Sequence, residues 1–362
     1  MIEPNSHVAA MAPYALADLE GPAGKPLNSL AQNESVLPPS PKAITAGRRA
    51  LETARLYCDA EWTDLRAAIA RVHHIPAEQI LCGAGSMELI ASLARCYAGP
   101  GGRVLSSQYG YGFFRSAALA VGAAYDQAPE RGLTVSVDDL LGAVRPETRL
   151  VFVANPGNPT GTRIGYAELV RLRDGLDGCI ALVIDEAYGE FAEAPGEAAF
   201  GLVGRGDTVV LRSFSKAYGL AGLRVGWGLF PPAMADQMRK VLNPNNVSGT
   251  SQASATAAMD DQSYMLATVA ETTRVRDHFI IRLRNLGLET PDSSTNFVLI
   301  RFADADGAAR ADQTLREEGV IMRRMTGYGL ADCLRATVAS EAQMDMAADC
   351  LALWCQKEGL PC

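Results

Sequence analysis

Nowhere in the chain do about 18 uncharged apolar residues run together, so no stretch could cross a bilayer as a helix. The first twenty residues hold no basic run followed by an apolar one, which argues against a secretory leader and for a soluble, cytoplasmic protein. Positive charge is also scarce. Lys and Arg number 33 against 41 Asp and Glu, a formal net charge of −8, and the two signs are interspersed, leaving no basic stripe on which nucleic acid could dock. The eight cysteines (Cys58, Cys82, Cys96, Cys179, Cys333, Cys350, Cys355, Cys362) include no Cys-x-x-Cys pair and are not grouped with histidine. That pattern favours neither a metal site nor a disulfide framework, and reduced, mostly buried thiols are expected. Only four histidines are present. His73-His74 precede Ile75-Pro76 and are expected at a helix end, while His7 and His278 stand alone. Internal repeats and low-complexity tracts are missing. Small-molecule chemistry is the class that survives these exclusions.

What the chain does have is length, 362 residues of which 48% are hydrophobic, enough for more than one core. Residues 1–45 carry seven prolines and little periodicity, which suggests an arm that takes its shape by lying on a second domain or a partner subunit. Residues 46–245 alternate helical stretches, such as Glu61 to Val72, with short apolar runs: Arg103 to Ser106, Leu150 to Ala154, Ile180 to Ile184, Thr208 to Leu211 and Val225 to Phe230. Continuous apolarity means strands covered on both faces, so this part reads as a large α/β domain with a mostly parallel central sheet flanked by helices. Residues 246–362 read as a smaller α/β domain. It would open with the Ser251 to Met259 helix, continue through a long helix near Asp277 to Leu286, and close with one around Gln343 to Trp354.

Ligands of an α/β sheet sit at the carboxyl ends of its strands, and four strand ends here carry polar or glycine-rich strings. In Leu81-Cys82-Gly83-Ala84-Gly85-Ser86-Met87-Glu88 a glycine turn opens a helix whose first N–H groups could hold a phosphate; a dinucleotide fingerprint would want glycine where Glu88 stands. Asn155-Pro156-Gly157-Asn158-Pro159-Thr160-Gly161 is a rigid turn that can turn the Asn158 amide toward a ligand. At Asp185-Glu186-Ala187-Tyr188 a carboxylate ends an apolar strand, costly unless a cation or donors meet it. The fourth string, from Arg212 to Trp227, holds Ser213, Ser215, Lys216 and Arg224. Two hydroxyls and an arginine suit a phosphate, and Lys216 lies between them, able to bond to an aldehyde on the same ligand.

The order Gly-x-Gly-Ser, Asn-Pro-x-Asn-Pro-Thr-Gly, Asp-Glu-Ala-Tyr, Ser-Phe-Ser-Lys and Gly-Leu-Arg-x-Gly resembles the fold-type I pyridoxal-phosphate enzymes of aminotransferase class I/II. The resemblance is greatest to the histidinol-phosphate aminotransferase group and runs from about Asn28 to about Trp354. It implies that Lys216 holds pyridoxal 5′-phosphate as a Schiff base and then moves a proton between substrate and cofactor. It implies that Asp185 pairs with the pyridine nitrogen and that Asn158 and Tyr188 bond the phenolic oxygen. Backbone groups at Ser86 and Met87 would join Ser213, Ser215 and Arg224 on the phosphate, with Tyr111 stacking on the ring. Tyr57 matches a tyrosine that reaches the phosphate of the neighbouring subunit, so a homodimer with sites at the interface is implied. Arg335, in Leu334-Arg335-Ala336-Thr337-Val338, matches the clamp on the substrate carboxylate. Arg323 matches an arginine that meets a distal substrate phosphate, and Asn33-Glu34 the start of the family's arm near the substrate.

The expected reaction is reversible transfer of an amino group from an L-amino donor to a 2-oxo acid, by a ping-pong path through the pyridoxamine form. The preferred pair is L-histidinol phosphate with 2-oxoglutarate, read by Arg323 with help from Arg324. Aromatic amino acids are the alternative donor, and decarboxylation of a phosphorylated amino acid on the same fold is a further one. Three departures from the family's pattern lie where a side chain would be read: Ser35-Val36 after Asn33-Glu34, Cys58 after Tyr57, and Arg324 after Arg323.

Overall fold

The structure, a computed structural model, describes residues 2–14, 18–22, 25–192 and 198–359. In chain order the strands are β1 (Asn28–Leu30), β2 (Ile80–Gly83), β3 (Arg103–Ser107), β4 (Ala124–Ala128), β5 (Glu130–Arg131), β6 (Thr134–Val135), β7 (Thr148–Ala154), β8 (Ala181–Asp185), β9 (Thr208–Ser213), β10 (Gly226–Leu229), β11 (Phe297–Arg301), β12 (Val320–Met325) and β13 (Leu330–Thr337). Seven of them form one sheet in the order β2-β10-β9-β8-β7-β3-β4. Leu150 to Val153 and Leu182 to Ile184 have no exposed surface, as strands sandwiched between helix layers require.

All neighbours in this sheet run parallel except β10, which is antiparallel to both β2 and β9. The reason is local. A parallel return from β9 needs a crossover helix, and residues 214–225 hold only the 3-10 turn Ala221–Leu223. β5 and β6 form a small separate hairpin.

The second sheet, β1-β12-β13-β11, packs against the helices Gln262–Asn285, Ala305–Glu317 and Glu341–Lys357 around its own core of Val298, Ile300, Leu315, Leu334 and Trp354. β1 is contributed by the proline-rich arm and pairs parallel with β12. The arm stretch also contains the start of a helix, Pro41–Ala50, with Pro41 in its first turn and Ser40 Oγ accepting from the Ala43 N–H at 3.3 Å. That Ser-Pro signature is a helix start, outweighing the proline density around it. This helix crosses Gly249–Met259 closely because Gly47 faces Ser254, where a Cβ would lie 2.3 Å from Oγ.

Val247, Ala255, Ala258, Met259 and Met265 belong to the core of the large sheet, so that core runs past residue 245. The long helix is 24 residues rather than a segment near 277–286. Its Thr-rich first half is a weak helix former, but Thr268 and Thr272 satisfy their hydroxyls on the carbonyls four residues back. His73 ends the helix Thr63–His73 and packs between Phe200 and Trp227, with His74 as its left-handed cap. Cys82, Cys333, Cys350 and Cys355 are buried and Cys179 is exposed; Cys362 lies outside the described residues. Among the described residues no helix is long and apolar enough to cross a membrane.

Candidate active site

Strand register gathers the first of the singled-out strings. Gly226 of β10 stands opposite Gly83 of β2 on one side and Ser213 of β9 on the other. One row across three strands therefore carries the turn before Ser86, the glycine two positions after Arg224 and the first hydroxyl of the lysine loop. Glycine is needed there. A Cβ on Gly226 would lie 2.2 Å from the Ser86 nitrogen, and one on Gly85 (φ 78°) would lie 2.3 Å from Arg224 Nη2. The Ser213 hydroxyl accepts the Ser215 N–H at 3.1 Å, and Arg224 Nη1 reaches Ser215 Oγ at 3.4 Å. Helix Ser86–Tyr97 begins beside them without a side-chain cap, so its leading N–H groups are directed at the same point. The result is a cradle shaped for an anion.

Two strands further along the sheet, β7 and β8 end at Ala154 and Asp185, which are themselves opposite each other. Beyond Ala154 the Asn155 amide closes the turn by bonding Ile164 in both directions, 3.0 Å to its carbonyl and 2.9 Å from its N–H. This puts Asn158 at the cavity wall, where its Oδ1 accepts from Arg335 Nη1 at 2.6 Å. Asp185 is 4% exposed and its carboxylate accepts from the Ala187 N–H at 3.1 Å. Burial pushes its carboxyl up to about 7, so a cation placed beside it would be strongly held.

Lys216 closes the floor. Its Nζ donates to the Asn33 carbonyl at 2.8 Å and lies 5.6 Å from the centre of the Tyr188 ring. Burial, then the positive charges of Arg335 and Arg224, pull the amine down to about 7, which makes a neutral, nucleophilic lysine accessible near neutrality. Tyr188 is buried, accepts from Asn33 Nδ2 at 2.8 Å, and packs edge-on against Phe297.

The opposite wall comes from the smaller sheet. Arg335 is 4% exposed, donates to the Ala31 carbonyl at 3.1 Å, and keeps a buried Nε that has no hydrogen-bond partner among the described residues. Arg323 of β12 is its direct partner across the ladder, so the two side chains share one face. Arg324 points the other way and is exposed, because successive residues of a strand face opposite sides. The expected help from Arg324 is therefore corrected: Arg323 lines the cavity and Arg324 does not.

These residues line one cavity of about 590 Å³, within the range of small-molecule sites. It brings together Ser86, Met87, Tyr111, Asn158, Asp185, Tyr188, Ser213, Ser215, Lys216, Arg224, Arg323, Arg335, Asn33 and Glu34. Tyr57 is not among them and is 93% exposed. Sequence reasoning missed Tyr14 and Tyr328, which also line the cavity. Tyr328 sits between two glycines five residues after Arg323 and could have been sought there; Tyr14 lies in the prolyl arm, where no periodicity marks it. A wider groove of about 870 Å³ along the helix Pro41–Ala50 has none of this chemistry.

An amine, an anion cradle and a buried carboxylate converging at the strand ends of an α/β sheet define an enzyme that holds a phosphorylated aldehyde for amine chemistry. Residues 25–351 match the family Aminotransferase class I and II, and the chain belongs to that family of transaminases. It is 43% identical over 355 residues to the histidinol-phosphate aminotransferase of Rhodospirillum centenum, covering 97% of this chain and 98% of that one. It is 42% identical over 315 residues to the protein of the same name from a Ruegeria species, covering 87% of each. Its fold superposes with a TM-score of 0.90 on the crystal structure of histidinol-phosphate aminotransferase from Sinorhizobium meliloti in complex with pyridoxal-5′-phosphate, at 28% identity and with 99% of both chains covered.

Proposed function

We propose that this protein binds pyridoxal 5′-phosphate in the described cavity and transfers an amino group from L-histidinol phosphate to 2-oxoglutarate. The observation that carries the choice of donor is the Arg323–Arg335 pair, two arginines set opposite each other on the cavity face of the small sheet. Both guanidiniums are permanently charged and can fork around phosphate or carboxylate oxygens, so this face suits anionic groups. The phosphate of L-histidinol phosphate, its one anionic group, would lie on Arg323 in one half-reaction and a carboxylate of 2-oxoglutarate on Arg335 in the other, and the relatives' names agree with a phosphate-bearing donor.

The residues fit the cofactor. The cradle accepts its phosphate only because Gly85 and Gly226 lack a Cβ, and Asp185 is a buried carboxylate lining the same cavity, suited to a cation. When bound, the cofactor supplies an aldehyde for a covalent bond to an amine and a ring that draws electrons from the substrate's α-carbon. Asp185 would hold the proton on the ring nitrogen. Lys216 Nζ, freed by the incoming amine, would move the proton from the α-carbon. Asn158 Nδ2 and the Tyr188 hydroxyl would donate to the phenolic oxygen, Tyr111 would cover the ring, and Ser86, Met87, Ser213, Ser215 and Arg224 would hold the phosphate. Arg335 would clamp the carboxylate of the oxo-acid partner, with Glu34 at the rim.

A cytoplasmic homodimer belongs to this reading. Tyr57 is 93% exposed beside Leu51 at 60% and Leu56 at 56%, an apolar patch suited to a second copy of the chain, to whose cavity Tyr57 would reach. The proposed division is an arm over residues 1–45, a large unit over 46–245 and a small unit over 246–362, with the helix after 245 packing back on the large core.

The test is turnover of L-histidinol phosphate and L-phenylalanine side by side, with 2-oxoglutarate as acceptor. No activity on the phosphate ends the donor assignment; faster phenylalanine turnover replaces it with an aromatic donor, and carbon dioxide release from phosphothreonine replaces it with decarboxylation. Lys216→Ala is expected to remove the visible absorption band of the lysine-bound cofactor and to lower turnover by about 10⁴-fold or more. A variant that keeps the band would sink the assignment of the lysine.

A further inference from the structure

The family resemblance puts Asn33 beside the substrate, but its surroundings point elsewhere. Asn33 is 2% exposed and left-handed, with φ 55°. All four of its polar atoms have partners. Its N–H donates to Thr337 Oγ1 at 2.8 Å and its Oδ1 accepts from the same hydroxyl at 3.3 Å. Its Nδ2 donates to the Tyr188 hydroxyl at 2.8 Å. Its carbonyl accepts from Lys216 Nζ at 2.8 Å and from Asn296 Nδ2 at 3.2 Å. Thr337 ends β13 and Asn296 precedes β11, so one side of Asn33 is fastened to the small sheet while the other faces the two cavity groups of the large one.

We propose that Asn33 is a positioning residue of the transfer reaction: its left-handed backbone aims a carbonyl at the Lys216 amine, giving that amine a fixed resting acceptor whenever it is not bonded to the cofactor, and its side chain holds Tyr188. This rests on the reading of Lys216 given above. A lysine has a long stem and about 2 kcal/mol of rotamer entropy to lose. Released from a covalent bond, it would spend much of its time out of reach of the reacting carbon unless something held it. A carbonyl suits the task because it accepts a hydrogen bond but takes no proton. The amine stays free to accept one proton from the substrate and to return it to the neighbouring carbon, and the carbonyl is unchanged throughout. Asparagine suits the position because, after glycine, it is among the residues that tolerate the left-handed region best.

The conformation supplies the test. Asn33→Gly keeps the backbone geometry and loses the bond to Tyr188, whereas Asn33→Val, β-branched, resists φ > 0 and turns the carbonyl away. We expect kcat to fall by roughly fivefold in the glycine variant and by at least about fiftyfold in the valine variant, with KM for the amino donor changing less than about twofold in both. In cofactor-free full-length protein, reductive methylation of Lys216 followed by mass spectrometry is expected to run several-fold faster in Asn33→Val than in wild type, and near the wild-type rate in Asn33→Gly. Should the valine variant fail to fold, Thr337→Val removes the anchoring hydroxyl at nearly constant shape, and its methylation rate is expected between those two.

Equal kcat values and equal methylation rates in the glycine and valine variants would overturn the proposal, as would a rise in KM at unchanged kcat, which is the mark of a substrate contact. Either outcome, with Lys216→Ala still losing its absorption band, sinks this proposal alone. A Lys216→Ala protein that keeps the band sinks the reading beneath it.

Discussion

The wall of the cavity built on the large sheet comes from contiguous strings at strand ends, so that Ser213 and Ser215 are bonded two positions apart. The facing wall is gathered from the arm, β12 and β13, and the bond from Asn33 to Thr337 spans 304 positions. The first wall holds groups whose relative positions must not drift: an anion cradle, a lysine and a carboxylate, each within a turn of a strand locked in the sheet. Local construction gives that rigidity, because the ladder on either side fixes the backbone from which the side chains leave. The second wall recognises whatever the substrate carries beyond its amine. It is assembled by tertiary packing, so single side chains on it can change without disturbing the cradle. If this contrast is right, damage to the first wall should strike the chemistry for every substrate and damage to the second should strike binding, substrate by substrate.

After Lys216, the largest effect is expected at Asp185. Asp185→Asn removes the charge that would hold the proton on the ring nitrogen, and turnover with any donor is expected to fall about 10³-fold, since preorganised charge is worth that much in a closed site. The same variant has an opposite effect on the empty protein. Burial raises the Asp185 carboxyl to about 7 in the fold, against about 3.9 in an unfolded chain. The folded state therefore binds this proton more tightly, and this group's contribution to stability is present below about pH 4 and lost as pH rises through about 7. Asparagine has no proton to lose. Urea unfolding of the cofactor-free proteins should show Asp185→Asn gaining on wild type between pH 4 and pH 7 and holding its lead above. A stability difference independent of pH would mean that the carboxylate is already satisfied by the protein and is not waiting for a cation.

Arg335→Lys tests the other wall. Arg335 makes hydrogen bonds to Asn158 and Ala31 and lies 5.2 Å from the centre of the Phe297 ring, and a lysine can neither fork around a carboxylate nor fill that planar slot. kcat/KM for 2-oxoglutarate, whose carboxylate Arg335 would clamp, is expected to drop roughly 100-fold, the scale of one or two charge-assisted hydrogen bonds, while the absorption band of bound cofactor persists. Loss of the band would erase the distinction between the walls, because Arg335 would then be holding Asn158 for the cofactor.

The same division decides what could be read beforehand. The strand-end strings announced themselves because a glycine turn, two Asn-Pro pairs and a hydroxyl-lysine loop each follow an apolar run, and a run buried on both faces is visible as letters. The antiparallel turn of β10 was not seen, since its cause is the shortness of residues 214–225 rather than any residue in the strand. The helix at Pro41 was masked by the prolines around it, although Ser40-Pro41 is the start signal itself. On the second wall Arg335 and Arg323 were found through a resemblance, yet their pairing across β12 and β13 and the orientation of Arg324 away from the cavity depend on register, which no local pattern states. Tyr14 was missed for a related reason: its place in the cavity is set by packing of the arm beside Phe113, a contact nearly one hundred positions away in the chain.

That register makes the smallest expected effect the most discriminating one. Arg323 is partly exposed and stands on the cavity face, so its bond to a distal phosphate would be strengthened by charge but weakened by water. Arg323→Met should therefore lower kcat/KM for L-histidinol phosphate by roughly tenfold, leave the half-reaction with 2-oxoglutarate within about twofold, and leave or improve the slow use of phenylalanine. Arg324→Met is the internal control: one position along the same strand, of the same charge, facing away, and expected to change none of these. Equal losses in the two variants would mean that the arginines act only through the net field of the small domain. A loss confined to Arg323 and to the phosphate-bearing donor would tie recognition to one face of one strand, which is where the comparison of the two walls puts it.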